Sequence, residues 1–407
     1  MARLCHVFAG WYVPSGTLNV GATSNEVYGD AVDGGGASDL TVTGGTLTCP
    51  AGAGGLAPSY QVFYRATDGG AIKAIPWAVF SAINVGSIAA LSNGNQFTIA
   101  RVYRGVSNRW DILGEKSAGG YKVLVLNQAG TQIGSTSSAE FSTGTPYNAR
   151  METNGTTLDL FYGGSLVVSG AETNKIALVA ANTPQLQCFS GSHASGTFAI
   201  TFGPCALFSG DTTADRPADN VLVTQFILNN DTPHHTGYTS VTPALSNKDD
   251  TVDDWETGAQ DGATSFNQAA GVANTTYVQS YNTNTITVSR IPEAVMQYIR
   301  HRDNVSSKTE TPSVLICDGT NERYGAAGDP DTSYINFAYL WTLDPASAAW
   351  GQTAITALQI GQRSVVGGTA VGHEVTCQYA ELLEVANDPP SLIFRSPVLA
   401  ISHIIGR

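Results

Sequence analysis

The chain has 407 residues, 13% of them charged and 42% apolar, with 44 glycines and a formal net charge of −13. Only 20 Lys and Arg are spread over it, too few and too scattered for a phosphate-neutralising surface, so nucleic acid is excluded as an expected partner. Threonine, valine, serine, tyrosine and glycine dominate over helix formers, which points to an all-β protein, and the length suits two or three domains.

In chain order, the opening "MARLCHVFAGWYVPSG" lacks an apolar stretch of signal-peptide length, and no later segment approaches membrane-spanning length. The expectation is synthesis in the cytoplasm without membrane insertion. From about Leu40 to Phe208, apolar runs alternate with turn residues: "SYQVFYR", "QFTIARVYR", "YKVLVLN", "TTLDLFYGGSLVVSG", "KIALVAA" and "GTFAITFGPCALF". Gly163 and Gly164 supply the positive φ of a tight hairpin turn, and "YKVLVLNQAGTQIGS" reads as a second hairpin turning at Asn127 to Gly130. Strands at this spacing without helical periodicity predict a sandwich or jelly roll over residues 1–210.

Composition then turns polar through "SGDTTADRPADNVLV" and "SNKDDTVDDWETGAQDGATSFNQ", read as a linker over 211–269. Its acids Asp249, Asp250, Asp253, Asp254 and Glu256 do not follow the ligand ladder of an EF-hand. Strands resume in "NTITVSRI", "EAVMQYIRHRD", "PSVLICDG", "SYINFAYLWTLD" and "HEVTCQYAELLEVA", a second, smaller β-sandwich over 270–386. Between the last two, Pro345 ends a strand, Thr353 caps a short helix with Ile355 and Leu358 on one face, and Gly361 turns the chain back. This is a structural crossover.

Residues 387–407 form a C-terminal arm in this reading. Pro389, Pro390 and Pro397 discourage a long strand, yet Leu392, Ile393, Phe394, Val398, Leu399, Ile401, Ile404 and Ile405 need covering. Either the tail folds back on the second sandwich or, the preferred reading, these side chains dock on a neighbouring subunit or another protein.

No constellation for chemistry stands out. Glu381 and Glu384, the nearest approach to a glycosidase pair, lie three positions apart and so face opposite sides of a strand, as ordinary surface carboxylates. No Gly-x-Ser-x-Gly elbow exists, and "GSHASG" around His193 reads as a turn. "GGTLTCPAGAGG" lacks the Lys-Ser/Thr of a P-loop. His234 and His235 have no third ligand suggested by spacing, and the six cysteines show no CxxC pair, so buried thiols are expected, with no metal and no cofactor.

Several segments together resemble a family of tailed-bacteriophage virion proteins: "FAGW" at Phe8, "FYR" at Phe63, "LDLFYGGSLV", "SGSHASGTFAITFG", the linker "SGDTTADRPADNVLV", then "YLWTLDP", "LQIG" and "VTCQYAELLEV". That resemblance implies a laminin-G-like or concanavalin A-like jelly roll followed by a second sandwich. Where family members often carry an aspartate pair, this chain has Gly203, Pro204 and Cys205, so no role of those acids carries over. The implied function is a non-enzymatic structural component of a virion assembled in the host bacterial cytoplasm, a head decoration or an accessory tail or fibre protein. Its partners would be the major capsid protein or tail proteins and further copies of itself. The alternative is a carbohydrate-binding adhesin, with Tyr12, Trp77, Trp110, Tyr147 and Trp255 as candidate stacking surfaces for a glycan.

Overall fold

The computed structural model describes residues 3–12, 16–17, 29–32, 40–51, 59–63, 71–105, 108–177, 184–193, 196–229, 234–242, 266–269, 271–304, 310–328, 330, 332–367 and 372–387. Among them the fold is all-β: four larger antiparallel sheets, one two-stranded hairpin, and Gln352–Thr356 as the single α-helix. The tail residues Leu392 to Ile405 and the acids Asp249 to Glu256 lie outside the described residues.

A ten-stranded and a seven-stranded sheet form the first sandwich. Strand Ile75–Val85 is the spine of the larger one, with Pro146–Thr153 on one side and both Cys205–Gly210 and Ile200–Phe202 on the other. The switch between those two partners falls at Ser81 and Ala82, across from Pro204 and Gly203; Ala82 has φ +48°, and Pro204 has no N–H to donate. Ser81 N–H instead donates to Pro204 O (2.9 Å), Gly203 N–H to Ser81 O (2.9 Å) and the Trp11 indole to Gly203 O (2.7 Å). The Gly203-Pro204 pair therefore makes a bulge that hands the spine from one strand to the next.

Both expected hairpins form. Thr157–Tyr162 and Ser165–Ala171 join through Gly163 and Gly164, with φ +61° and +81°, and Tyr121–Asn127 pairs with Gln132–Ile133 past Gly130. Tyr121, Phe141, Tyr147 and Tyr162 pack as one ring cluster, with the Tyr121 and Tyr162 hydroxyls 2.8 Å apart. Each such pair adds about 0.5–1.5 kcal/mol beyond area burial. All six cysteines are buried free thiols.

A six-stranded and a five-stranded sheet form the second sandwich. The span 211–269, expected as a linker, supplies its strands Pro217–Phe226, Leu228–Asn229, Thr239–Thr242 and Phe266–Gln268. Flanking Asp, Asn and Thr obscured the alternation of Val221 and Val223, both buried. In contrast, "NTITVSRI" is mostly loop: the strand Thr276–Thr283 precedes it, and Ser289 and Arg290 N–H donate to Glu384 instead of to a sheet ladder.

The long strands Ile291–Asp303 and His373–Asn387 are buried on both faces. On one side Met296, Tyr298, Cys377, Tyr379 and Leu383 share a continuous core with Phe8 and Trp11 of the first sandwich. On the other, Val295, Ile299, Val375 and Leu382 pack with Trp341, Trp350, Ile355 and Leu358. The crossover helix is thus a core element, but its N-cap is Gly351, not Thr353, and Gly361 lies inside the strand Gln359–Val366 instead of at a turn. A Cβ at Gly361 would sit 2.0 Å from Gln279 O, so close strand packing and not turn geometry requires that glycine.

Candidate functional site

A cleft of about 670 Å³ opens in the first sandwich between the start of the strand Asn108–Lys116, the turn after Asn127, and residues 171–174. Trp110 and Asn127 are cross-strand partners, which fixes the floor against one wall. The turn is self-supporting: Asn127 Oδ1 accepts N–H bonds from Ala129 (3.0 Å) and Thr131 (2.9 Å), the usual device by which an asparagine holds a tight loop.

Glu172 organises the opposite wall. One carboxylate oxygen accepts the Trp110 indole N–H (3.1 Å) and the other accepts Asn174 N–H (2.8 Å). Arg104 donates to Asn174 Oδ1 at 2.6 Å, which orients that amide. Arg109 lies 3.5 Å from Asp111 Oδ2, and Asp111 is in turn bound by Arg101, whose guanidinium sits 4.8 Å from the Phe189 ring centre. The lining therefore combines side-chain amides of Asn108, Asn127, Gln128 and Asn174 with one guanidinium and one anchored carboxylate. Amides both donate and accept, which suits a neutral polyhydroxyl ligand, and the guanidinium adds a site for an anionic substituent.

The aromatic side chains considered for glycan stacking are placed otherwise. Trp77 and Trp110 are fully buried, their indoles tied to Glu152 (2.9 Å) and Glu172. Tyr147 belongs to the ring cluster, and Tyr12 packs on the core with its hydroxyl donating to Val223 O (3.2 Å). Trp255 lies outside the described residues. Of the four described residues, the two tryptophans are buried and the two tyrosines are half-buried against the core.

Glu381 and Glu384 are not surface carboxylates. They do face opposite sides of their strand, but both sides are covered: Glu381 binds Gly10 N–H, Tyr298 and Tyr379, and Glu384 binds Ser289 and Arg290 N–H. Sequence reasoning also left His234 and His235 without a third partner; folding brings Glu322, 87 residues beyond His235, against both rings. The side chain of His193 lies outside those described.

No family model matches the chain, and no curated protein matches it. Similar solved structures include the CBM2 module of the Lactobacillus casei BL23 phage J-1 evolved Dit, at 13% identity and TM-score 0.34 over 52% of this chain and 97% of that one. Two alginate lyases also match: AlgAT5 of polysaccharide lyase family 7 (10% identity, TM-score 0.28, 42% of this chain and 82% of that one) and Aly36B (13%, TM-score 0.33, 52% and 99%). With such lyases among the matches, the expectation that this chain is not an enzyme does not stand. At TM-scores this low, however, the likenesses carry no argument for an activity either.

Proposed function

We propose that the chain binds carbohydrate, with the glycan seated in the cleft between Asn108, Asn127 and Asn174. The observation that carries this reading is the lining itself: four side-chain amides, the Arg109 guanidinium and the anchored Glu172 converge on a space of about 670 Å³, within the range of small-ligand sites. Glu172 has both oxygens engaged by protein donors, so its role is to hold Trp110 and Asn174 in place. Arg109, Asn108 and Gln128 are the groups left to read the ligand. The resemblance of the sequence to tailed-phage virion proteins supports placing this glycan-binding unit on a virion, as a decoration or accessory tail component held by capsid or tail proteins and by other copies of the chain.

The test is a glycan array followed by titration of the best ligand into the intact chain and into Arg109→Ala and Gln128→Ala. Binding should weaken at least about tenfold in each, the equivalent of roughly 1.4 kcal/mol. An empty array, or affinities unchanged in both variants, overturns the reading. Locating the chain in a virion reconstruction tests its proposed placement separately.

A further inference from the structure

His234 and His235 present both imidazoles to one oxygen of Glu322. His235 Nε2 lies 2.6 Å from Glu322 Oε1 and His234 Nε2 lies 3.4 Å from the same atom. The two rings stand 4.4 Å apart at 73°, and all three donor atoms fall within 4.8 Å of one another. Consecutive residues of an extended chain point to opposite sides, so this convergence needs a backbone held for it.

That backbone is held. His234 N–H donates to Gln359 Oε1 (2.9 Å) and His235 N–H to Ser280 Oγ (3.0 Å). Ser280 Oγ donates to the same Gln359 oxygen (2.8 Å), and Ser280 N–H donates to His235 O (3.2 Å). Gln359, Cys317 and Glu322 form a cross-strand row on one face of the five-stranded sheet, so the carboxylate stands on rigid ground. The Tyr324 hydroxyl binds Glu322 Oε2 and leaves Oε1 turned to the imidazoles, while the Arg363 guanidinium sits 3.8 Å from the Tyr324 ring centre.

We infer that His234, His235 and Glu322 form a binding site for a divalent transition-metal ion of the zinc type. Two imidazole nitrogens and one carboxylate oxygen match the donor preference of Zn²⁺, Co²⁺ and Ni²⁺ and disfavour Ca²⁺ and Mg²⁺, which take oxygen sets. Ligands at about 2.1 Å in a tetrahedral site stand about 3.4 Å from one another, the separation already present between His234 and Glu322. The Tyr324–Glu322 bond supplies the outer-shell support that metal-binding carboxylates require. Cys317, next in the row, points its Sγ to Gln359 Oε1 at 3.7 Å and does not join the cluster. The fourth position faces solvent, because the His234, His235 and Glu322 side chains are 38%, 25% and 27% exposed. Water or a donor group from another molecule can therefore complete the coordination.

The experiment uses the full chain without a histidine tag, stripped with a chelator and titrated with ZnCl₂ against a chromophoric competitor. One equivalent should bind, and His234→Ala and Glu322→Gln should each weaken it by at least about 10–100-fold, no less than loss of an outer-shell partner. Co²⁺ should give visible absorption bands of four- or five-coordinate intensity in the parent chain and not in either variant. Millimolar Ca²⁺ should leave the site occupied by zinc. If Glu322→Gln proves less stable, His234→Ala, altering the most exposed of the three, decides. Absence of stoichiometric binding, or zinc affinity equal in the parent chain and His234→Ala, overturns the assignment.

Discussion

The backbone N–H of Gly10 donates to the buried carboxylate of Glu381 at 3.2 Å, joining the end of the N-terminal strand of the first sandwich to the last strand of the second. The Tyr298 and Tyr379 hydroxyls donate to the same carboxylate at 3.3 and 3.2 Å. Because the side chains around this bond belong to one core that spans both sandwiches, the contact is structural cement and not a loose interface between independent domains.

A Cβ at Gly10 would sit 2.4 Å from Val223 Cγ1 and 2.7 Å from Glu381 Oε2. Gly10→Ala should therefore cost about 1–3 kcal/mol by overpacking, and Glu381→Ala about 3 kcal/mol by removing the acceptor from three buried donors. Both should shift a single denaturation transition followed by fluorescence and circular dichroism. Two separate transitions, of which only one moves, would contradict a shared core.

The crossover gives a graded set. Leu358→Ala should lose about 2–4 kcal/mol, since Leu358 is buried against Trp350 and Ile355. Gly361→Ala should lose at least about 3 kcal/mol, because the backbone of the neighbouring strand blocks its Cβ and cannot move aside. Gly351→Ser should change stability by only a few tenths of a kcal/mol: the N-cap is extended, at φ −146°, with nothing within 4 Å of an added Cβ. Equal losses at Gly351 and Gly361 in urea titrations would refute this assignment of roles.

How much of this could be read from the sequence depends on whether the signal was local. The Gly163-Gly164 turn, the strands carrying Cys317 and Cys377, and the burial of Ile355 and Leu358 follow from neighbouring residues alone. The face of a two-sided buried strand does not: Glu381 and Glu384 alternate as surface acids would, and only tertiary packing hides both. Trp77 and Trp110 were candidates for glycan stacking although such rings are more often core or edge aromatics, and carboxylates distant in sequence tie both into the core. Likewise the two histidines were visible as metal-binding residue types, whereas Glu322 joins them only through the hairpin register with Cys317.

Least legible were the glutamines inside the second sandwich. Gln297 donates to Gly361 O (2.7 Å) and Gln378 Oε1 (3.2 Å) and accepts the Trp341 indole N–H (3.0 Å), fully shielded from water. Gln378 donates to Gln362, which donates to the Tyr281 hydroxyl. Gln297→Leu keeps approximate volume but takes the acceptor from the Trp341 indole N–H and a donor from Gln378 Oε1, so it should cost about 2–4 kcal/mol. In a double-mutant cycle with Trp341→Phe, the two losses should couple by at least about 0.5 kcal/mol. Strict additivity would mean that the indole does not depend on Gln297.

Protonation should unfold the chain from its buried histidines. His301 Nδ1 and His373 Nε2 are 2.8 Å apart, and His373 Nδ1 lies 2.7 Å from the Tyr238 hydroxyl. Burial lowers His301 to about 4 and holds His373 well below the ordinary range, helped by its neighbour His301. Burial also lowers His6, 2.6 Å from Ser209 Oγ, to about 4. In the unfolded chain each takes a proton near pH 6.5, so between that pH and 4 the unfolded state binds more protons and stability rises with pH. The slope is about 1.4 kcal/mol per pH unit for each group, or about 2 kcal/mol each from pH 7 to 5. Glu293 opposes them, because burial raises its carboxyl despite the Arg3 guanidinium beside it, but it is one group against three. Urea unfolding at pH 7 and pH 5 should therefore show a loss of several kcal/mol on acidification, and His6→Asn should reduce that loss by about 2 kcal/mol. Stability that stays level or increases from pH 7 to 5 would show that these imidazoles are not held neutral by the fold.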